Sequence, residues 1–388
     1  MSPPLPVGPD YGFGLYIHWP YCSKICPYCD FNVYAAKDRD NSALVQALSD
    51  DLARHASTLQ RRHPKLGSIY FGGGTPSLMQ PADIERLIAE ASRHFGLEPN
   101  VEITLEANPN DVLSNDVAAW VSAGINRLSI GLQSLNDEVL RFLGREHDAA
   151  EGRRAVEIAG RLVPNHSIDL IYARPGQSMA DWETELTDAL ALGAPHLSLY
   201  ELTIKDRTAF GKRAERGELT PMSDDDQADL YELTTAITDA HGLPAYEISN
   251  HARSPETQSR HNLIYWRSGD WIGLGPGAHG RVTLSGQRFA TAAPLKPGEY
   301  TAMDFEASLL SGFSMDRSDS ARELLIMGLR PVEGFDTGRF AALARAPLRA
   351  DKINELAANG FLTQTAERIA LTPAGRLLAD RIAAELSP

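Results

Sequence analysis

Between Phe13 and about Leu202 the chain alternates short apolar, β-rich runs with longer segments of helical period. The runs Gly14–Trp19, Ser68–Phe71, Glu102–Leu105, Arg127–Gly131, Ser167–Tyr172 and His196–Tyr200 read as strands. Between them, Asn41–Gln60, Pro81–His94, Ala150–Leu162 and Met179–Leu192 gather their apolar residues on one helical face. Strands that alternate with helices predict βα units on a parallel sheet, which places the chain in the α/β class. Six such units can curl into a partial barrel or lie open as a doubly wound sheet, and periodicity does not choose between the two.

Further on, Ser223 followed by three aspartates opens an acidic helix that runs to His241. Ser268–Arg281 is rich in glycine and carries little regular pattern. The last stretch changes character. Ala321–Leu329, Thr337–Arg345 and Ala350–Asn359 read as helices, with Gly360 as a C-cap. Phe361–Leu371 reads as a hairpin, and Thr372 caps a final helix with Pro373 at its first position. This order predicts a small C-terminal winged-helix-like α+β domain, with a helical cap packed on the barrel as the alternative. The expected division is a core over 1–240, a connecting region over 241–310 and a C-terminal domain over 311–388.

Composition adds limits. The chain has 388 residues, 43% hydrophobic and 23% charged, which supplies a sizeable core. Acidic residues outnumber basic ones 51 to 37, for a net charge of −14. That argues against a broad nucleic-acid surface, which needs a positive field, so no nucleic-acid partner is expected. The N-terminal stretch lacks the basic and apolar regions of a secretory leader. No apolar run approaches the roughly 20 residues of a transmembrane helix. A cytoplasmic location is expected, with peripheral membrane association left open.

The chain has three cysteines, all in Cys22-Ser23-Lys24-Ile25-Cys26-Pro27-Tyr28-Cys29. Three clustered thiols point to metal or redox chemistry rather than a disulfide framework. The spacing C-x3-C-x2-C directly follows the first predicted strand and lets one loop wrap an iron–sulfur cluster. Such clusters usually take four cysteines, so a three-cysteine site leaves one iron open to a small molecule. The competing reading is structural zinc, with His18 as a fourth ligand.

Gly72-Gly73-Gly74-Thr75-Pro76 follows the second predicted strand. Glycines there let backbone approach a ligand, although a tight turn explains them equally. In parallel α/β folds, ligands sit at the carboxyl ends of strands, and the same edge should carry Glu106, Gln133 and Asp169. Arg145 is a candidate carboxylate clamp; its plainer role is a surface ion pair.

The cysteine motif, with Tyr28 before its last cysteine, resembles the hallmark of radical S-adenosylmethionine (SAM) proteins. From about Gly14 to the C-terminus the combined landmarks resemble the oxygen-independent coproporphyrinogen III oxidase group. The resemblance implies a partial (β/α)6 radical SAM barrel and a [4Fe-4S] cluster on Cys22, Cys26 and Cys29. It also implies SAM chelated to the unique iron and surrounded by Tyr16, Tyr28, Gly73, Gly74, Thr75, Glu106, Gln133, Arg145 and Asp169. In that family the reduced cluster cleaves SAM to a deoxyadenosyl radical. One departure matters: the oxidases carry a further cysteine two places after the third, where this chain has Phe31.

His261-Asn262-Leu263-Ile264-Tyr265-Trp266 matches the H-N-x-x-Y-W motif of the group's HemW haem chaperones. His and Tyr both serve as axial haem ligands, and Trp offers a flat face to a porphyrin. A His beside aromatics is also a common hydrogen-bonded core residue. The resemblance implies haem binding at His261, Asn262, Tyr265 and Trp266, and a haem chaperone that hands its cargo to an acceptor protein. The alternative is SAM-dependent oxidative decarboxylation of coproporphyrinogen III.

Overall fold

The computed structural model describes residues 11–35, 41–59, 63–284, 287–305, 314–344 and 348–387. The main sheet contains strands β1 (Phe13–Trp19), β2 (Leu66–Gly73), β3 (Leu97–Ala107), β4 (Arg127–Gln133), β5 (His166–Tyr172), β6 (His196–Glu201), β7 (Asn250–Ala252), β8 (Asp270–Leu274), β9 (His279–Leu284) and β10 (Gln287–Ala292). Their order is β10-β9-β8-β1-β2-β3-β4-β5-β6-β7. Strands β1 to β6 are parallel neighbours in chain order, as six βα units require. β7 joins β6 antiparallel, and β9 and β10 form an antiparallel hairpin against β8.

Side chains alternate across the sheet with period two. One face carries Leu15, Ile17, Ile69, Phe71, Ile103, Leu105, Leu128, Ile130, Ile168, Leu170, Leu197 and Leu199, all buried in one large apolar core. The helices Asn41–Leu59, Pro81–Phe95, Ala149–Leu162 and Met179–Leu190 add their apolar residues to that core. The other face carries Tyr16, His18, Ser68, Tyr70, Thr104, Glu106, Ser129, Ser167, Asp169 and Ser198, and is polar. Residues of β2 through β6 line a single cavity of about 470 Å³. Inward-facing residues of five successive strands thus border one common space. The sheet therefore curls around its polar face into a partial barrel, with β10 and β7 as its edges.

One region departs from expectation. The Gly-rich stretch holds β8, whose five residues are all buried and which pairs in parallel with β1. A strand buried on both faces shows no alternation, so its pattern is silent in the sequence. Its glycines mark close backbone approach: a Cβ on Gly273 would lie 2.2 Å from the His279 oxygen. Residues 250–292 thus extend the barrel sheet rather than merely connect two domains.

The C-terminal unit runs Arg317–Gly328 (helix), β11 (Phe335–Asp336), Thr337–Leu343 (helix), Ala350–Ala358 (helix), β12 (Leu362–Gln364) and β13 (Arg368–Leu371). Its three strands pair in the order β11-β13-β12, the layout of a winged helix. It has its own apolar core, including Leu324, Leu325, Phe335, Phe340, Ile369 and Leu386. The boundary expected at 310–311, the stretch before Tyr11, and the helix ends expected at Gln60 and Arg345 lie outside the described residues. No described helix is long and apolar enough to cross a membrane.

Candidate cofactor site at the barrel mouth

The cysteine loop leaves the carboxyl end of β1. Tyr21–Cys22 pairs in parallel with Tyr34–Ala35 and closes the loop at its base. The backbone of the glycine turn ties it down: Gly74 N–H donates to the Trp19 oxygen at 2.7 Å, and Thr75 N–H to the Tyr21 oxygen at 2.8 Å. Cys29 N–H donates to the Cys26 oxygen at 3.1 Å in a tight turn, and both residues line one cavity with Cys22. All three thiols are free of disulfides; Cys22 is buried and the other two are half-buried. Burial pushes the Cys22 thiol up and the Cys29 thiol up to about 11. A positive metal centre offsets that cost by holding thiolates.

The zinc reading loses its fourth ligand. His18 Nδ1 is 2.9 Å from the Tyr16 hydroxyl and Nε2 is 3.0 Å from the Asn32 oxygen, so neither nitrogen is available. Among the described residues, no three His, Cys, Asp or Glu side chains converge as ligands of one ion would. A cubane cluster makes no such demand, because each thiolate takes a different iron. The three-thiol loop therefore fits a cluster better than a closed zinc site.

Eight of the nine expected SAM residues line one cavity with the cysteines: Tyr28, Gly73, Gly74, Thr75, Glu106, Gln133, Arg145 and Asp169. Tyr16 does not; its hydroxyl turns onto His18 inside the barrel. Glu106 accepts from the Tyr70 hydroxyl at 2.8 Å and from Gly73 N–H at 3.1 Å. Burial raises its carboxyl to about 7, opposed by the Tyr70 hydrogen bond and reinforced by the charge of Asp169. Asp169 accepts from Ser129 at 3.0 Å and from Ser167 at 3.3 Å, and burial raises it to about 6. Gln133 reaches the cavity from a left-handed backbone, φ 67°, where the register between β4 and β5 shifts. Arg145 is no surface ion pair. It donates to Cys26 Sγ at 3.4 Å, to the Gly131 oxygen at 2.9 Å and to Asn108.

The glycine turn answers to packing. Gly73 has φ 109°, and a Cβ there would lie 2.5 Å from His18 Nδ1. A Cβ on Gly74 would lie 3.0 Å from Cys22 Sγ. Its glycines thus make room for His18 and the cysteine loop, and the Gly73 N–H is spent on Glu106. Among the cavity residues that the sequence reading missed are Tyr70, Asn108, Ser129 and Tyr200. Tyr70, Ser129 and Tyr200 share the inward face with Glu106 and Asp169, so strict alternation would have found them; Asn108 carries no such signal.

The H-N-x-x-Y-W segment lies elsewhere. It forms the Arg260–Trp266 helix, placed by Ser68 and Gly14 at the amino ends of β2 and β1, opposite the cysteine loop. The Glu102 carboxylate caps this helix, accepting from the N–H groups of Arg260 at 3.2 Å and His261 at 3.1 Å. His261 is buried, with Nδ1 2.8 Å from Ser68 Oγ and Nε2 2.6 Å from the Tyr265 hydroxyl. Burial lowers its pKa to about 3, so the ring is neutral. Both ring nitrogens of His261 and the Tyr265 hydroxyl are thus engaged in hydrogen bonds within the protein. Asn262 and Trp266 are half-buried, and Trp266 lies under the Arg330 guanidinium at 4.5 Å.

Residues 16–189 match the radical SAM superfamily, and residues 315–378 match the HemN C-terminal domain. The chain is 36% identical to the heme chaperone HemW of Escherichia coli, over 95% of this chain and 96% of that relative. It is also 36% identical to the mitochondrial radical S-adenosyl methionine domain-containing protein 1 of Danio rerio, over 82% and 73%. Among solved structures, coproporphyrinogen III oxidase (HemN) from Escherichia coli aligns with a TM-score of 0.77 at 23% identity, over 99% of this chain and 92% of that one, and so shares the fold. The chain belongs to the radical SAM superfamily, in the group that contains the HemN and HemW proteins.

Proposed function

We propose that this protein is a cytoplasmic haem chaperone that binds haem on a radical SAM scaffold and passes it to an acceptor protein. Cys22, Cys26 and Cys29 hold a [4Fe-4S] cluster, and Tyr28, Glu106, Gln133, Arg145 and Asp169 surround SAM. When reduced, the cluster supplies the electron that SAM chemistry needs. The chain's own residues do the rest. Arg145 braces the cysteine loop through Cys26 and offers a cation to a carboxylate, while Glu106 and Asp169 set negative charge facing a cationic ligand.

The observation that carries the haem reading is Phe31, which stands where the oxidases have a further cysteine. It lines the cavity and is 66% exposed, and Ile25, which lines the same cavity, is 45% exposed. An uncovered aromatic and aliphatic pair is unusual next to a cofactor site and suits the flat face of a porphyrin. Lys24 and Lys205 line the same cavity and suit its propionates, in a chain otherwise strongly acidic.

The test uses anaerobically reconstituted protein, a haem titration followed at the Soret band, and an assay with coproporphyrinogen III, SAM and a reductant. Saturable haem binding without porphyrinogen conversion is expected. Phe31→Asp should weaken haem binding about tenfold, as loss of one well-covered aromatic contact implies. Conversion to protoporphyrinogen IX with no saturable haem binding would overturn the proposal in favour of the oxidase.

A further inference from the structure

We infer that His261 is a positioning residue for the SAM cavity, acting through Tyr70 on Glu106. This rests on the reading of that cavity as the SAM site. The His261 ring stacks on Tyr70 with centroids 4.9 Å apart and planes at 24°. The Tyr70 hydroxyl, at the far end of the same ring, donates to Glu106 at 2.8 Å, and the other Glu106 oxygen accepts from Gly73 N–H. A chain of direct contacts therefore links the floor of the barrel to the carboxylate in its mouth.

Every link below Tyr70 is fixed. Glu102 holds the His261 backbone, Ser68 and Tyr265 hold its two ring nitrogens, and Tyr265 packs edge-on against Trp271 of β8 at 4.7 Å. Gly14 leaves the space that the ring needs: a Cβ there would sit 3.4 Å from His261 Nδ1 and 3.0 Å from Ser68 Oγ. Tyr70 is also bounded by Gly72, where a Cβ would lie 2.8 Å from its ring. Tyr16 lies on another side of the Tyr70 ring, with centroids 6.2 Å apart. A rigid, neutral imidazole against the Tyr70 face keeps the hydroxyl aimed at Glu106. The imidazole is buried, engaged at both nitrogens and outside the cavity lining, which is the signature of a buttress rather than of an iron ligand.

The experiment titrates SAM into anaerobically reconstituted, reduced protein and reads its effect on the cluster's EPR spectrum, with haem titration run alongside. His261→Ala should weaken SAM about tenfold, the size expected for one loosened charge-assisted hydrogen bond, with iron content and haem affinity within twofold of wild type. Tyr70→Phe keeps the stacked ring but removes the donor, and should weaken SAM similarly. The double variant should be no weaker than Tyr70→Phe alone, because both changes break one path. Tyr265→Phe, a milder change if His261→Ala folds poorly, should move SAM affinity the same way by a few-fold. Additive losses, or an unchanged SAM response in both His261→Ala and Tyr265→Phe, would overturn the inference. A wild-type spectrum indifferent to saturating SAM would overturn the cavity assignment and the inference together.

Discussion

Replacing Glu106 with Gln should make the SAM-free protein more stable at pH 8 while impairing the site. Burial lifts the Glu106 carboxyl from an ordinary 4.5 to about 7. Between those values the unfolded chain has released the proton and the folded chain keeps it, so folding takes up a proton. Stability therefore falls as pH rises from about 4.5 to about 7, and levels off above. A shift of about 2.5 units at about 1.4 kcal/mol each sets a ceiling of about 3.5 kcal/mol. One side of the carboxylate opens on the cavity and water screens it in part, so a swing of about 2 kcal/mol is the working expectation. Gln has no proton to lose and lacks this slope. It also accepts one hydrogen bond less well, which costs about 1 kcal/mol at every pH. Urea unfolding followed by tryptophan fluorescence suits the measurement, since Trp19, Trp120 and Trp182 are all buried in the barrel core. The variant should be slightly less stable than wild type at pH 4.5 and about 1 kcal/mol more stable at pH 8. Asp169, raised to about 6, contributes its own slope to both proteins and largely cancels in the comparison. A difference between the two proteins that stays constant from pH 4.5 to 8 would refute burial as the cause of the raised Glu106 carboxyl.

Single replacements Cys22→Ala, Cys26→Ala and Cys29→Ala should each abolish most iron uptake from about four per chain, measured by iron and sulfide analysis after reconstitution; full iron content in any of them would remove that thiol from the ligand set. Gly74→Ala should likewise lose cluster retention, because its Cβ would press on Cys22 Sγ and the Tyr21 oxygen, and a brown, fully loaded Gly74→Ala would contradict the packing described. Arg174 and Glu185 form a buried ion pair at 2.5 Å between the loop after β5 and the Met179–Leu190 helix. Arg174→Ala should cost about 3 kcal/mol in urea unfolding by stranding the carboxylate, whereas the double change Arg174→Leu and Glu185→Leu should recover most of it; equal losses in the two would count against stranding as the cause.

The six βα units and the cysteine loop were legible because their signals are local. Alternation marks β1 to β6, and a loop ligand set needs only its own eight residues. Glu106, Gln133 and Asp169 were expected on one edge by the rule that function gathers at strand ends, and Arg145 as a carboxylate clamp by its residue type, together with resemblance. What escaped was set by partners distant in sequence. β8 is invisible because burial on both faces erases its pattern, and its partner β1 lies about 250 residues earlier. The surroundings of His261 escaped for a related reason. A His among aromatics looks the same in sequence whether its nitrogens face a ligand or face Ser68, 193 residues away. The residue type reveals an ability to bind; only the fold reveals that the ability is already used.

The pairing of β8 with β1 has a consequence for how the chain is made. During synthesis the amino-terminal strand emerges first, yet one of its two hydrogen-bonding edges finds no partner until residues 270–274 have left the ribosome. The ring that closes the barrel floor, His261, arrives at nearly the same time. For most of translation the nascent barrel thus carries an unpaired parallel edge, the kind of surface that pairs wrongly with other chains. Long-range closure of this sort is slow, because a loop of some 250 residues must be ordered before the contact rewards it. A fragment ending near residue 240 would hold every cysteine and all eight expected SAM residues that line the cavity, and still leave that edge open permanently. Such a fragment should aggregate rather than bind a cluster stably, so the smallest workable unit of this protein includes β8 and the Arg260–Trp266 helix.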